Sequence, residues 1–226
     1  MSYLNTLAFG VYPYIALSIF LLGSLVRFDY GQYTWRSGSS QLLRNRNFRI
    51  ANNLFHVGIL LLFFGHLVGL LMPHAWYPYF GLTPHSKQLL AMLAGGIFGV
   101  LCFVGMSMLI YRRLLDPRVR NTSSPMDTAI LLILYVQLIL GLTTIPASGQ
   151  HLDGSNMLLL ADWAQHILTF RAGAADYLAD VSWIFKIHIL LGMTIFLLFP
   201  FSRLVHIWSA PIWYLGRRSY QIVRQR

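Results

Sequence analysis

The chain has 226 residues, 56% hydrophobic and only 11% charged, with a formal net charge of +10. A soluble domain carries about 25% charged residues, so these proportions exclude one and point to an all-α membrane protein. Continuous apolar runs about twice the length of a ~10-residue alternating barrel strand argue against a membrane β-barrel, and a single cysteine, Cys102, excludes an intramolecular disulfide or a thiolate metal cage. Cys102 lies in an apolar Gly- and Met-rich run and reads as a small buried hydrophobe. In a chain of this kind the basic excess reads first as membrane topology rather than nucleic-acid binding.

Five spans are predicted, over residues 4–26, 50–72, 87–111, 126–146 and 181–206, in one membrane domain covering 1–226. The first lacks a basic n-region and an A-x-A-like cleavage site, so it reads as a retained span, with Pro13 near its start, where proline is best tolerated. The second is closed by Pro73. The third is entered through Thr83-Pro84 and ended by Arg112-Arg113. The fifth carries Pro200 inside it. Between the fourth and fifth, residues 156–170 look amphipathic and suit a membrane surface. The acids of that loop, Asp153, Asp162, Asp176 and Asp180, read as solvated.

The basic residues sort by loop. Arg27, Arg36, Arg44, Arg46 and Arg49 lie between spans one and two. Arg112, Arg113, Arg118 and Arg120 lie between spans three and four. Arg203, Arg217, Arg218, Arg224 and Arg226 follow span five. Only Lys87, Arg171 and Lys186 of the 17 fall on the other side. The positive-inside rule therefore predicts a periplasmic N-terminus and a cytoplasmic C-terminus.

An ionisable side chain inside a span is costly, and is a functional candidate by default. His56 and His66 fall in span two; His188 and His206 fall in or at the end of span five. His74, His85, His151 and His166 fall in outer loops. A lone intramembrane histidine is commonly a hydrogen-bonded packing residue, but four on two spans weaken that reading. With the predicted topology His66 and His188 form an outer pair, and His56 and His206 an inner pair. Facing imidazoles between antiparallel helices suit two six-coordinate b haems. His56 and His66 are about 15 Å apart along a helix and cannot share one ion. Two sites of two histidines each fit haem better than zinc.

The spacing is uneven. His188 and His206 would be about 27 Å apart on one straight helix, and a kink at Pro200 is one way to absorb the difference. Gly58, Gly65 and Gly69 flank the histidines, and Gly95, Gly96 and Gly99 lie on span three. They fit either close approach of a flat macrocycle or small-xxx-small helix contact. Lys87 at the outer mouth suits either donation to a quinone carbonyl or an interfacial snorkelling lysine; Lys186 reads as snorkelling. Trp76, Tyr77, Tyr79 and Phe80 form an interfacial aromatic belt or line a quinone entrance.

Several segments resemble the gamma, cytochrome b subunit family of membrane-bound respiratory nitrate reductases. They are FDYGQYTWR (28–36), NLFHVGIL (53–60), FGHLVGLLMPH (64–74), KQLLAMLAGG (87–96), GLTTIPASGQHLDGS (141–155) and IHILLGMTIFLLFPFSRLVHIWSAP (187–211), so the resemblance covers essentially the whole chain. It implies two b haems, with His66 and His188 on the outer, distal one and His56 and His206 on the inner, proximal one. It implies quinol oxidation, of menaquinol or ubiquinol, at Lys87, His66 and Gly65 on the periplasmic side of a bacterial inner membrane. It also implies electron transfer to a cytoplasmic iron–sulfur (beta) subunit and a molybdenum-containing catalytic (alpha) subunit that reduces nitrate. The basic inner face, residues 28–49 and 212–226, is the expected docking surface. The residues alone leave two alternatives open: the cytochrome b anchor of a hydrogenase or formate dehydrogenase, and a haem-free membrane subunit with a histidine proton relay.

Overall fold

The computed structural model describes residues 3–35, 47–210 and 216, and its described residues are helices joined by turns. Five helices are long and apolar enough to cross a membrane: α1 (Tyr3–Thr34), α2 (Phe48–Leu71), α3 (Pro84–Leu115), α4 (Pro125–Gly149) and, after the shorter α5 (Ser155–Leu168), α6 (Trp183–Phe201). Residues 36–46 and most of 212–226 lie outside the described residues, and with them much of the expected docking surface.

The helix starts are written locally. Thr83 accepts from the Ser86 backbone N–H while the Ser86 hydroxyl accepts from the Thr83 N–H, and Pro84 takes the first helical position. Ser124, Pro125 and Asp127 repeat the device at α4. Such boxes satisfy backbone donors that a helix start leaves orphaned.

α2 packs most extensively on α3, α3 on α4, α4 on α6 and α6 on α1. The α2–α3 seam depends on small residues. A Cβ on Gly58 would lie 2.7 Å from Cys102 Cβ, and one on Gly105 would lie 2.8 Å from the Ala51 carbonyl oxygen. Cys102 is fully buried there, with Met106 and Leu138 beside it, as the reading of a small buried hydrophobe expects. Large apolar side chains on the spanning helices, such as Leu21, Leu60, Leu93 and Val136, are exposed, as suits a lipid-facing surface.

The first span begins with a π-turn, Leu7–Val11, immediately before Pro13. Proline has no N–H and leaves the carbonyl four residues earlier without its helical partner. That carbonyl belongs to Phe9, and the indole Nε1–H of Trp163 donates to it at 2.9 Å. Trp163 lies on α5. That helix does more than present an apolar face to a membrane surface: Trp163, Ala164 and Ile167 pack with Phe9, Leu178, Val181 and Phe185 into a core that caps one end of the bundle. Gln165 on α5 donates to the Leu70 and Met72 carbonyls, at 3.1 and 3.3 Å, where α2 runs out of partners. Asp153 just before α5 accepts from the Ser155 N–H and hydroxyl, and these bonds hold its carboxyl below its ordinary value.

The predicted fifth span is corrected at its end. Helical geometry stops at Phe199–Phe201, Ser202 is extended, and a separate 3₁₀ segment, Arg203–Ser209, carries His206. Pro200 cannot donate, and the chain breaks beside it. Arg27 of α1 donates to the carbonyls of Pro200 and Ser202, at 2.6 and 2.8 Å, which fixes the break. His206 therefore need not lie 27 Å along a helix from His188, and the uneven spacing ceases to be a conflict.

Candidate functional site

The fold brings the outer histidines together. The rings of His66 on α2 and His188 on α6 face each other with centroids 6.1 Å apart and planes at 36°. An ion bonded at roughly 2 Å to a nitrogen of each ring would set the centres about 6 Å apart. Of the inner histidines, His56 lies on α2 and His206 on the 3₁₀ segment.

The ring nitrogens have a pattern. Nδ1 of His56 lies 2.8 Å from the Asn52 carbonyl oxygen, Nδ1 of His66 lies 2.7 Å from that of Leu62, and Nδ1 of His206 lies 2.6 Å from that of Arg203. A carbonyl can only accept, so these contacts assign the proton to Nδ1. They leave the Nε2 lone pair for a metal, the usual way a ligating histidine is oriented. His188 differs. Its Nδ1 is buried with no hydrogen-bond partner among the described residues, and so is the neighbouring Gln137 Oε1. Gln137 on α4 donates to the His188 carbonyl at 3.0 Å, and its Nε2 lies 3.4 Å from the His188 Nε2.

The glycines divide between the two roles open to them. Gly58, Gly99 and Gly105 meet a facing helix closely. A Cβ on Gly65, Gly69 or Gly95 would meet nothing within 4 Å among the described residues. Helix contact therefore accounts for the first three and not for the second, of which Gly65 and Gly69 lie on α2 with His66. Orphaned polar atoms at His188, accessible lone pairs on the other rings and an open glycine cradle suit a flat metal macrocycle.

Lys87 neither snorkels nor reaches water. It is 5% exposed, and its Nζ donates to the Gly69 carbonyl at 2.8 Å and to the Tyr77 hydroxyl. It also lies 4.2 Å from the centre of the Tyr77 ring. An ammonium has three donors, so one remains for a ligand near Gly69 and His66. Lys186 is likewise turned inward, donating to the Ala179 carbonyl at 2.7 Å. The aromatic belt is also divided: Trp76, Tyr79 and Phe80 are exposed, whereas Tyr77 is buried as the partner of Lys87. Of the outer acids, Asp162 is only part-exposed, 3.6 Å from His74 Nε2.

Sequence reasoning passed over Gln137, which had a signal as an amide in an otherwise apolar span. It named Tyr77 only as one of four aromatics, because nothing in WYPYF separates the one that turns inward from its neighbours.

Comparison with known proteins places the chain in a family. A family model described as "Nitrate reductase gamma subunit" matches residues 5–226. The chain is 55% identical over 226 residues to the respiratory nitrate reductase 2 gamma chain of Escherichia coli (strain K12), covering 100% of this chain and 99% of that one. It is 53% identical over 230 residues to the respiratory nitrate reductase 1 gamma chain of the same organism, covering 100% of both. It is 36% identical over 220 residues to the nitrate reductase gamma chain of Bacillus subtilis (strain 168), covering 96% of each. A full-length match to the family and to relatives at this identity, on a bundle of five membrane-length helices with paired imidazoles, leads to one statement: the chain belongs to the nitrate reductase gamma subunit family.

Proposed function

We propose that this chain is the membrane-anchoring, di-haem cytochrome b subunit of a respiratory nitrate reductase, and that it oxidises quinol at its outer end. The observation that carries the reading is the facing pair His66 and His188, with centroids 6.1 Å apart, beside glycines that no helix fills. His66 and His188 would hold an outer haem b; His56 and His206 would hold an inner one. When bound, the two groups supply one-electron carriers at two depths, reached by a two-electron donor on one side and a one-electron acceptor on the other. The chain would act as one domain, with its N-terminus in the periplasm and its C-terminus in the cytoplasm, as its arginine distribution favours.

The residues have separable tasks. The carbonyls of Asn52, Leu62 and Arg203 orient three imidazoles. Gln137 instead holds the backbone carbonyl of His188. The open side of Gly65, Gly69 and Gly95 admits a planar group against the backbone. Lys87 is held by Gly69 and Tyr77 with one N–H free to grip a quinol oxygen, and Gly65 lets the head group approach His66. Protons released there would emerge on the periplasmic side. Electrons would be drawn off by a cytoplasmic iron–sulfur beta subunit feeding a molybdenum-containing alpha subunit, docked on the arginine-rich inner face in the bacterial inner membrane.

A reduced-minus-oxidised absorption spectrum of the purified chain tests the reading directly. Two b haems per chain are expected, reducible by added quinol. Colourless protein, or haem in no relation to the four histidines, would overturn it.

A further inference from the structure

Next to Lys87 a file of polar side chains runs from the buried end of the site to the outer surface. Tyr77 is 3% exposed and accepts from Lys87 Nζ. The His74 ring packs against the Tyr77 ring with centroids 5.3 Å apart. His74 Nε2 is a buried atom with no hydrogen-bond partner among the described residues, and it points toward Asp162, 3.6 Å from Oδ1. The side chains of His74 and Asp162 are 35% and 31% exposed. Burial therefore falls along the file, from Lys87 and Tyr77 to a histidine–carboxylate pair that reaches water.

The placement is built in. Gln165 ties α5 to the end of α2, and the Asp162 carbonyl accepts from His166 Nδ1, so Asp162 is held over the turn that carries His74 and Tyr77. Burial first, and then the Asp162 charge, hold the Tyr77 phenol above its ordinary value. Tyr77 thus stays a neutral hydroxyl, able to accept from one neighbour and donate to another. An imidazole next to a carboxylate can accept a proton and pass it on.

We propose that Tyr77, His74 and Asp162 form the route by which protons leave the outer site when quinol is oxidised beside Lys87. The inference rests on the quinol reading above and adds where the protons go. Each quinol loses two electrons and two protons and becomes quinone; the electrons leave as proposed above. For each proton, the quinol hydroxyl proton replaces one that Lys87 hands to the Tyr77 oxygen. Tyr77 passes its own hydroxyl proton to the His74 imidazole. The imidazolium, paired with the Asp162 carboxylate, releases it to the periplasm. All three side chains return to their starting states, and the second proton follows the same way.

Other titratable groups close by have partners or positions of their own. His166 is bonded to the Asp162 carbonyl and meets the Tyr177 hydroxyl at 3.3 Å. His85 on α3 sits on the Leu152 carbonyl. Asp176 and Asp180 lie on or just after the Ala174–Leu178 turn packed against α5.

The test uses the complete membrane complex. Haem reduction by a short-chain hydroquinone is followed by stopped flow for the unaltered enzyme, Tyr77→Phe, His74→Gln and Asp162→Asn, in H₂O and D₂O. All four should hold haem with the same dithionite-reduced spectrum, and His74→Gln and Asp162→Asn should bind a competitive quinol-site inhibitor with unaltered affinity. Tyr77→Phe should slow haem reduction at least about tenfold, and His74→Gln several-fold. Asp162→Asn should also slow haem reduction several-fold, because the imidazolium then lacks its carboxylate partner. Unaltered rates in all three variants would overturn the route, as would slowing in His74→Gln or Asp162→Asn matched by an equal loss of inhibitor affinity. If the unaltered complex is itself not reduced by hydroquinone, the quinol reading fails first and the route with it.

Discussion

The indole of Trp163 donates to the carbonyl of Phe9 at 2.9 Å, across 154 residues of chain. The acceptor is available because Pro13 supplies no N–H to it, and it lies within the π-turn Leu7–Val11. A helix defect in α1 thus becomes the anchor point for α5. Trp163→Phe would leave that buried carbonyl without a partner, at a cost of about 1–3 kcal/mol. A lower thermal unfolding midpoint in detergent is expected, and an unchanged midpoint would remove the bond from any structural role.

The imidazole pairs predict haem stoichiometry. His188→Ala should reduce haem from two per chain to one and abolish quinol oxidation. His206→Ala should also leave one haem, the outer one, still reducible by quinol. The measurement is the pyridine haemochrome content set against protein. Two haems retained in either variant would contradict the pairing.

The divided glycines predict opposite failures. Gly58→Ala presses a methyl into Cys102 across the α2–α3 seam, an overpacking that costs about 1–3 kcal/mol and should show as lost thermal stability. Gly65→Leu meets only open space among the described residues and should fold normally. Its side chain would instead fill the cradle, so haem content or quinol reactivity should fall. A Gly65→Leu variant with full haem and full quinol oxidation would show that the open side serves neither.

Lys87→Ala should keep both haems and the dithionite-reduced spectrum, yet slow their reduction by quinol about a hundredfold, the scale of a misplaced reacting group. Normal reduction by quinol would exclude Lys87 from the site.

Arg27 is predicted to act on the inner histidine from a distance. Its two bonds to Pro200 and Ser202 set the break after which His206 is presented. Hydrogen bonds from a charged donor contribute about 1.5–3 kcal/mol each. Arg27→Ala should therefore lower inner-haem content or shift its optical band while the outer haem is untouched. Equal loss of both would indicate general unfolding instead.

Much of this was legible in the residues because lipid imposes strict rules. Continuous apolar length marked five spans, and Thr83-Pro84 marked where α3 begins. The four intramembrane histidines stood out because hydrocarbon makes polar groups costly. What the sequence hid were interactions decided by tertiary packing. Whether Pro200 kinks a helix or ends one depends on whether a donor such as Arg27 is at hand to satisfy the freed carbonyls. Gly65 and Gly99 are equivalent in a pattern and opposite in three dimensions. The amphipathic segment before α6 could not announce that its apolar face would be spent on Phe9, Leu178 and Val181.

The chain has only two lysines, and the structure buries both against backbone carbonyls. The other 15 of the 17 lysine and arginine side chains are guanidiniums, which keep their charge to pH values above about 12. The positive field of the arginine-rich face is therefore insensitive to alkalinity across any working range. Amine-reactive labels should find no accessible ε-amino group on the folded chain, so Lys87 and Lys186 become sensors: acylation at either one would report that the bundle's outer end had opened.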